Sequence, residues 1–383
     1  MDNRVIPDPS IEPKPRQALP AKALTLPAHC YTDPAWFTRE MERFFFGMWI
    51  CAGRATEIPR AGDFFVRDVI GEQIVITRGE DGLVRAFYNT CRHRGTKYCT
   101  EPQGHFSGRI QCPYHLWTYR LDGTLANAPH MEDVPHFRKE DLPLRQVACE
   151  VWDGHLFLNF RENPPPLASQ LATLPARFAP WQMADLQRAN RITYDVRTNW
   201  KQILLNYSEC LHCPNVHPVL NRLSHYLTGE NEPLQPTYMG GRMDLRPGVE
   251  TMSMDGACRR AYLPGVSEQD RRHVYYYALF PNFLLTLHPD YMMTHTIWPQ
   301  APDRTQIICE WHFHPDELAK PDFDADDVVT FWDLTNRQDW HVCELSQAGI
   351  SSRGYRPGPY SNREDLLHAF DRFILRELGE PEP

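Results

Sequence analysis

Two stretches, Cys91-Arg92-His93-Arg94-Gly95 and Cys112-Pro113-Tyr114-His115-Leu116-Trp117-Thr118-Tyr119-Arg120-Leu121-Asp122-Gly123, decide how the first half of the chain folds. Each offers one thiol and one imidazole, as Cys91-x-His93 and Cys112-x-x-His115. Paired hairpin loops would bring the two arms onto one metal centre. Two cysteines and two histidines are also a zinc set, but zinc fingers usually keep both cysteines in one arm and both histidines in the other. Alternation within each arm suits a [2Fe–2S] cluster in which histidines replace cysteines on one iron. Neutral nitrogen ligands raise the reduction potential of such a cluster, to roughly −150 to +300 mV. A centre of that kind accepts electrons from a ferredoxin or flavin and passes them on. The surrounding sequence is β in texture. Phe64–Val69, Gln73–Arg78, Val84–Tyr88, Thr118–Leu121 and Val151–Leu158 are short apolar runs separated by Gly, Asp and Asn. Residues 49–160 are therefore expected to form a small all-β domain.

The pattern CxHRG followed by CPYHxWxYxLDG resembles the Rieske [2Fe–2S] domain, and Cys112–Gly123 follows it closely. The resemblance implies Cys91, His93, Cys112 and His115 as cluster ligands. One departure is Leu116, where the family commonly has Gly or another small or polar residue; an apolar shield beside the cluster is the expected consequence.

A second constellation follows about a hundred residues later. Asn199–Pro218 reads NWKQILLNYSECLHCPNVHP, and a helix is expected over Trp200–Cys213. Glu209 and His212 are three residues apart and would share a face of it. Pro214 ends the helix and lets His217 swing beside His212. Two histidines leave an iron(II) short of a ligand; one carboxylate completes a facial triad and keeps positions open for O2 and substrate. The helix expected over Asp326–Ala348 carries Trp332, Asn336, Asp339 and Cys343 on one face. Asp339 is central on that face and is the candidate, with Asp333 or Glu344 as alternatives.

Coming after the first motif, ExxHxxxxH resembles the catalytic domain of the Rieske non-heme iron oxygenase alpha subunits. The likeness covers nearly the whole chain beyond residue 27. It implies His212, His217 and Asp339 as ligands of a mononuclear Fe(II), and a head-to-tail homotrimer in which Glu209 bridges the iron of one subunit to the cluster of the next. It also implies a separate flavin or ferredoxin-type reductase that draws on NAD(P)H. The fold it implies is α+β: the small Rieske domain plus a helix-grip catalytic domain, with a large antiparallel sheet wrapped on helices. Most ring-hydroxylating members carry Asp at the bridge. Glu209 within a Cys210-x-x-Cys213 frame resembles instead the branch that oxidises choline, glycine betaine, carnitine and stachydrine. Within that frame the two cysteines are expected to serve packing rather than to form a redox pair. The implied alternatives are an aromatic-acid hydroxylase or O-demethylase of the same family; a non-catalytic Rieske electron carrier would leave the second constellation unexplained.

Beyond the motifs, 383 residues suffice for two cores. Residues 1–27 are expected as an extended arm, because Pro7, Pro9, Pro13, Pro15, Pro20 and Pro27 block regular structure. Asp33 should cap a helix running from Pro34 to about Met48. The arm and helix, residues 1–48, are expected to pack with the catalytic domain, residues 161–383. Pro164, Pro165 and Pro166 mark a linker over 161–180. Strands are expected at Val274–Leu287, Tyr291–Trp298 and Gln306–His314, and a last helix at Arg363–Leu378.

A net charge of −9 without a basic stripe argues against nucleic acid. The longest apolar run, Phe44–Ala52, is too short for a membrane span. The polar, proline-studded start resembles no signal peptide, so a cytoplasmic protein with reduced or metal-bound cysteines is expected. NAD(P)H should act only through the reductase, since no GxGxxG setting is present. The strand aromatics Tyr275, Tyr276, Tyr277, Phe280, Phe283, Tyr291 and Trp298 could hold a cation by cation–π contact. Tyr277, Phe283, Tyr291 and His295 are the named candidates for the substrate pocket, and His288 is a further polar candidate.

Overall fold

The computed structural model describes residues 18–381. The arm prolines Pro7, Pro9, Pro13 and Pro15 lie outside the described residues. Two compact units are formed, one from Phe45–Ser169 and the other from the segment ending at Phe44 together with Gln170 onward.

In the first unit seven antiparallel strands pair in the order Ile50–Arg54, His155–Asn159, Gln146–Trp152, Val84–Tyr88, Glu72–Arg78, Asp63–Val69, Gln103–His105. A second sheet pairs Arg109–Gln111, Thr118–Arg120 and Leu125–Asn127. Phe64, Val75, Phe87, Ile110, Trp117, Tyr119 and Leu144 form a core that also contains Cys91 and Cys112. The single strand expected over Val151–Leu158 is two strands. Asp153 and Gly154 turn the chain between them with φ of +42° and +81°, the left-handed pair that a two-residue hairpin turn requires.

The second unit is built on a seven-stranded antiparallel sheet. Its strands are β1 (Gln187–Val196), β2 (Glu230–Asn231), β3 (Tyr238–Asp244), β4 (His273–Leu279), β5 (Phe283–Leu287), β6 (Met292–Ala301) and β7 (Arg304–Phe313), ordered β1-β7-β6-β5-β4-β3-β2. β4 and β5 were expected as one strand; Pro281 and Asn282 break it into a hairpin, Pro281 having no N–H for a ladder bond. Among the described residues, the helices of eight or more residues in this unit are α1 (Trp200–Tyr207), α2 (Asp326–Ile350) and α3 (Asp365–Glu377). The expected linker stretch carries two short helices, Leu167–Leu171 and Leu174–Phe178.

Asp33 caps the N-terminal helix as expected, its carboxylate accepting from Ala35 N at 2.8 Å. That helix, Pro34–Glu40, passes into a π-helical turn at Met41–Phe45. A fully buried ion pair ties it to α1. Lys201 Nζ donates to Glu40 Oε1 (2.6 Å), Asn199 Oδ1 (2.9 Å) and the Cys30 carbonyl (2.7 Å). Glu40 also accepts from the indoles of Trp36 and Trp200, both at 2.8 Å. All three donors of Lys201 are thus used and Glu40 accepts three bonds, as burial of the two charges demands.

α1 is shorter than expected. Asn199 caps it through Lys201 N (3.1 Å), but it ends at Tyr207, and Glu209–His212 lie in a turn rather than on a helix face. Ser208 Oγ donates back to the Leu204 carbonyl at 2.7 Å, a bond that offers the chain an exit from helix geometry. A disulfide between Cys210 and Cys213 then closes the turn, where simple packing of two thiols was expected. Among the described residues no helix is long and apolar enough to cross a membrane.

Candidate active site

Two loops in the first unit carry the Cys/His motif. In the first, Cys91 N donates to the Thr96 carbonyl (2.9 Å) and Gly95 N to the Cys91 carbonyl (3.0 Å), with Gly95 at φ +76°. In the second, Cys112 N donates to the Trp117 carbonyl (2.8 Å) and Leu116 N to the Cys112 carbonyl (3.2 Å). Leu116 sits at φ +59°, a region glycine enters freely and a leucine only at a cost. The family's small residue at this place thus has a conformational reason. Leu116 is 52% exposed, so its side chain is only half withdrawn from solvent.

The loops bring the four expected groups together in an ordered way. Cys91 and Cys112 are buried free thiols, and His93 and His115 stand on the outer side with ring centroids 4.7 Å apart. Burial pushes the Cys112 thiol up, with Cys91 beside it acting in the same sense. Burial, the neighbouring His115 and Arg94 hold His93 below its ordinary value, so it presents a neutral imidazole. Trp117 stacks on His93 at 4.7 Å and 8° between planes. Tyr119 Oη lies 3.4 Å from Cys91 Sγ and accepts from Arg92 N at 3.1 Å. Two inward thiols and two outward imidazoles are the donor set that a cluster with one cysteine-held and one histidine-held iron needs.

In the second unit His212, His217 and Asp339 converge, one ligand atom of each lying within 4.8 Å of the others. Asp339 comes from the middle of α2. Its Oδ1 lies 2.7 Å from His217 Nε2 and 3.2 Å from His212 Nε2. Both rings are held from behind. His212 Nδ1 donates to Glu209, whose other carboxylate oxygen accepts from Leu211 N. His217 Nδ1 donates to Gln338 Oε1 at 2.8 Å. Held at Nδ1, each ring turns its Nε2 to the centre. The three groups together attract positive charge. Burial opposes protonation of His212, yet the carboxylates of Asp339 and Glu209 outweigh it and raise its pKa to about 10. A cation that displaces the Nε2 proton of His212 would find two imidazole nitrogens and one carboxylate, a set that fits a divalent iron.

The alternative carboxylates are engaged elsewhere. Asp333 accepts from Tyr194 Oη (2.8 Å) and Arg337 Nε (2.9 Å), and Glu344 accepts from Arg197 N (3.0 Å).

A cavity of about 800 Å³ adjoins these residues. Tyr207, Tyr276, Met293, His295, Trp332 and Trp340 line it. Tyr276 lies 6.0 Å from Tyr207 and 6.4 Å from Trp332 between ring centroids. Of the four pocket candidates only His295 is in the lining. Tyr277, Phe283 and Tyr291 are buried in the core instead. Parity explains the first two. Tyr276 pairs with Thr286, and Thr286 with Met293, so the cavity face takes every second residue. Tyr277 and Phe283 fall on the opposite face. Tyr291 precedes β6, and its hydroxyl donates to the Met252 carbonyl and accepts from Trp332 Nε1, both at 2.7 Å. His288 is wholly buried and stacked on Tyr291 at 3.9 Å, away from the lining. Sequence reasoning missed Gln338 and passed over Tyr207 and Trp340. Trp332 and Asn336 carried a usable signal, since they share the α2 face of Asp339.

Comparison with known proteins defines the class. Residues 48–138 match the Rieske [2Fe-2S] domain, and residues 183–380 match the catalytic domain of the ring hydroxylating alpha subunit. The chain belongs to the ring-hydroxylating alpha subunits and is an oxidoreductase with a Rieske cluster and a non-heme iron. Within the family it resembles the quaternary ammonium monooxygenases. It is 32% identical to the carnitine monooxygenase oxygenase subunit of Escherichia coli, over 88% of this chain and 87% of the relative. It is 31% identical to the glycine betaine monooxygenase oxygenase subunit of Chromohalobacter salexigens, over 88% and 82%. The crystal structure of the quaternary ammonium Rieske monooxygenase CntA with its substrate L-carnitine matches with a TM-score of 0.76 and 26% identity, over 92% of this chain and 96% of that one. A further CntA structure is described as giving insight into inter-subunit electron transfer in that enzyme.

Proposed function

We propose that this chain is the oxygenase component of a Rieske monooxygenase that hydroxylates an N-methyl carbon of a quaternary ammonium compound. The observation that carries this reading is an aromatic-walled cavity against a two-histidine, one-carboxylate site. In this reading Cys91, Cys112, His93 and His115 hold the cluster, and His212, His217 and Asp339 hold the iron. The cluster would supply electrons one at a time and the iron would activate O2. Each turnover consumes substrate, O2, two electrons and two protons, and yields hydroxylated substrate and water. Hydroxylation of an N-methyl group gives a hemiaminal, which breaks its C–N bond and releases formaldehyde.

The protein's own groups have separate tasks. Tyr207, Tyr276 and Trp332 face the cation with their rings, each contact worth about 0.5–2 kcal/mol. Glu209 and Gln338 fix the imidazole tautomers through Nδ1. Glu209 would also link the iron of one subunit to His93 or His115 of the next in a homotrimer; its contact with His212 supports half of that bridge. Electrons would come from a separate flavin or ferredoxin-type reductase using NAD(P)H.

The test is a panel of quaternary amines and aromatic acids, scored by oxygen uptake and formaldehyde release with a surrogate reductase. Formaldehyde should appear in step with oxygen uptake for at least one quaternary amine. Its loss in Asp339→Ala, with the cluster's visible spectrum intact, would support the iron assignment. Turnover of the aromatic acids alone would contradict the reading.

A further inference from the structure

The cavity is longer than a small quaternary ammonium compound needs. Its volume, about 800 Å³, stands in the upper part of the range that encloses drug-sized ligands, about 300–1,000 Å³. The sheet supplies a ruler. Residues of β6, β4, β3 and β2 line the cavity. Tyr207 lies over β5, its hydroxyl donating to the Leu285 carbonyl at 2.9 Å and standing 2.8 Å from Thr286 Oγ1. Neighbouring strands are about 4.8 Å apart, so four spacings carry the lining about 19 Å from β6 to β2. From its nitrogen to its carboxylate carbon, extended L-carnitine measures only about 5 Å.

The character of the wall changes along this length. Tyr207, Trp332 and Trp340 stand at the iron end. Beyond Tyr276 the wall becomes aliphatic. Gly241 pairs with Tyr276 and shares its face, and Met243, two residues on, lies on that face too. Leu366 and Ala369, three apart on α3, complete this stretch with Leu220. Leu220, Met243 and Leu366 are buried, whereas Asn231 and Leu234 are exposed, so the mouth lies at the β2 end. There Asn231 Nδ2 donates to Asp365 Oδ1 at 2.7 Å and joins β2 to the start of α3. An aliphatic passage between an aromatic end and a polar rim matches a ligand with a cationic head and an apolar tail. From Tyr276 on β4 two strand spacings remain, about 10 Å, the reach of about eight bonds.

We propose that the cavity takes a quaternary ammonium ion bearing an apolar tail of roughly six to eight carbon atoms, its head against Tyr276 and its tail between β3 and α3. This inference rests on the quaternary ammonium reading above and narrows it to tailed members of that class.

The experiment uses the cluster- and iron-loaded oxygenase in the oxidised state without air, so that binding is measured without turnover. Dissociation constants are taken by calorimetry for ethyl-, butyl-, hexyl-, octyl- and decyltrimethylammonium, each monomeric at the concentrations used. Affinity should rise about threefold per methylene as far as octyl, and decyl should add little. Met243→Gln, which keeps the length of the side chain but makes its end polar, should reduce that gain, and Met243→Leu should preserve it. A total gain below about tenfold from ethyl to octyl in the wild type would overturn the tail while leaving the quaternary ammonium reading intact. A gain undiminished in Met243→Gln would overturn the placement of the tail along β3. Failure of all five ions to bind would overturn both readings.

Discussion

Both imidazoles beside Asp339 are gripped at Nδ1, one by a carboxylate and one by a neutral amide. The difference has consequences. Glu209 holds His212 with a charge and is itself fixed by Leu211 N, whereas Gln338 holds His217 with a single neutral bond at 2.8 Å. Groups that orient a metal-binding histidine typically contribute 10–100-fold in metal affinity. Gln338→Ala should weaken iron retention by about that factor, measured by competition with a chelator, while the cluster's visible spectrum stays unchanged. Unaltered iron affinity would mean that His217 is held by packing alone. The ligand residues were legible in the sequence because the chemistry of each centre fixes residue type and short-range spacing. Gln338 was not, because an amide next to a candidate aspartate has no signature until the helix is set against His217.

At the scale of elements, strand parity and the end of one helix explain most differences between expectation and structure. The run of three tyrosines at 275–277 reads as an aromatic supply, but only the sheet register decides that Tyr276 meets the cavity and its neighbours do not. Register depended on the hairpin at Pro281 and Asn282, which the continuous apolar run 274–287 concealed. The end of α1 was hidden in the same way: the sequence through His212 keeps helical texture, while Ser208 and the Cys210–Cys213 disulfide release it into a turn.

One anchor of α1 is the Lys201–Glu40 pair, with both side chains fully buried. Removing one partner of a buried pair leaves the other charge uncompensated and costs about 3–5 kcal/mol. Lys201→Met should therefore lower stability by about that amount in chemical denaturation, whereas exchanging both residues for apolar ones of similar volume should recover much of it. A single variant as stable as the wild type would show that the pair contributes nothing to anchoring the helix.

For the molecule as a whole, the chain builds two donor sets of different kinds in two separate units. One is a thiol pair backed by imidazoles in a small β unit; the other is two imidazoles and a carboxylate between a turn and a long helix. The first suits storage of an electron and the second its use on dioxygen. The division into these two functions was readable from motifs, since the donors of each set lie within one or two short segments. The walls of the cavity, drawn from β2, β3, β4, β6, α1, α2 and α3 among others, required the fold. The most direct measurement is the Mössbauer spectrum of protein reconstituted with iron-57 and reduced without air. It should contain cluster iron and a separate high-spin ferrous iron at roughly two to one, and Asp339→Ala should remove only the latter. A single iron environment, or a ferrous component that persists in Asp339→Ala, would contradict the account.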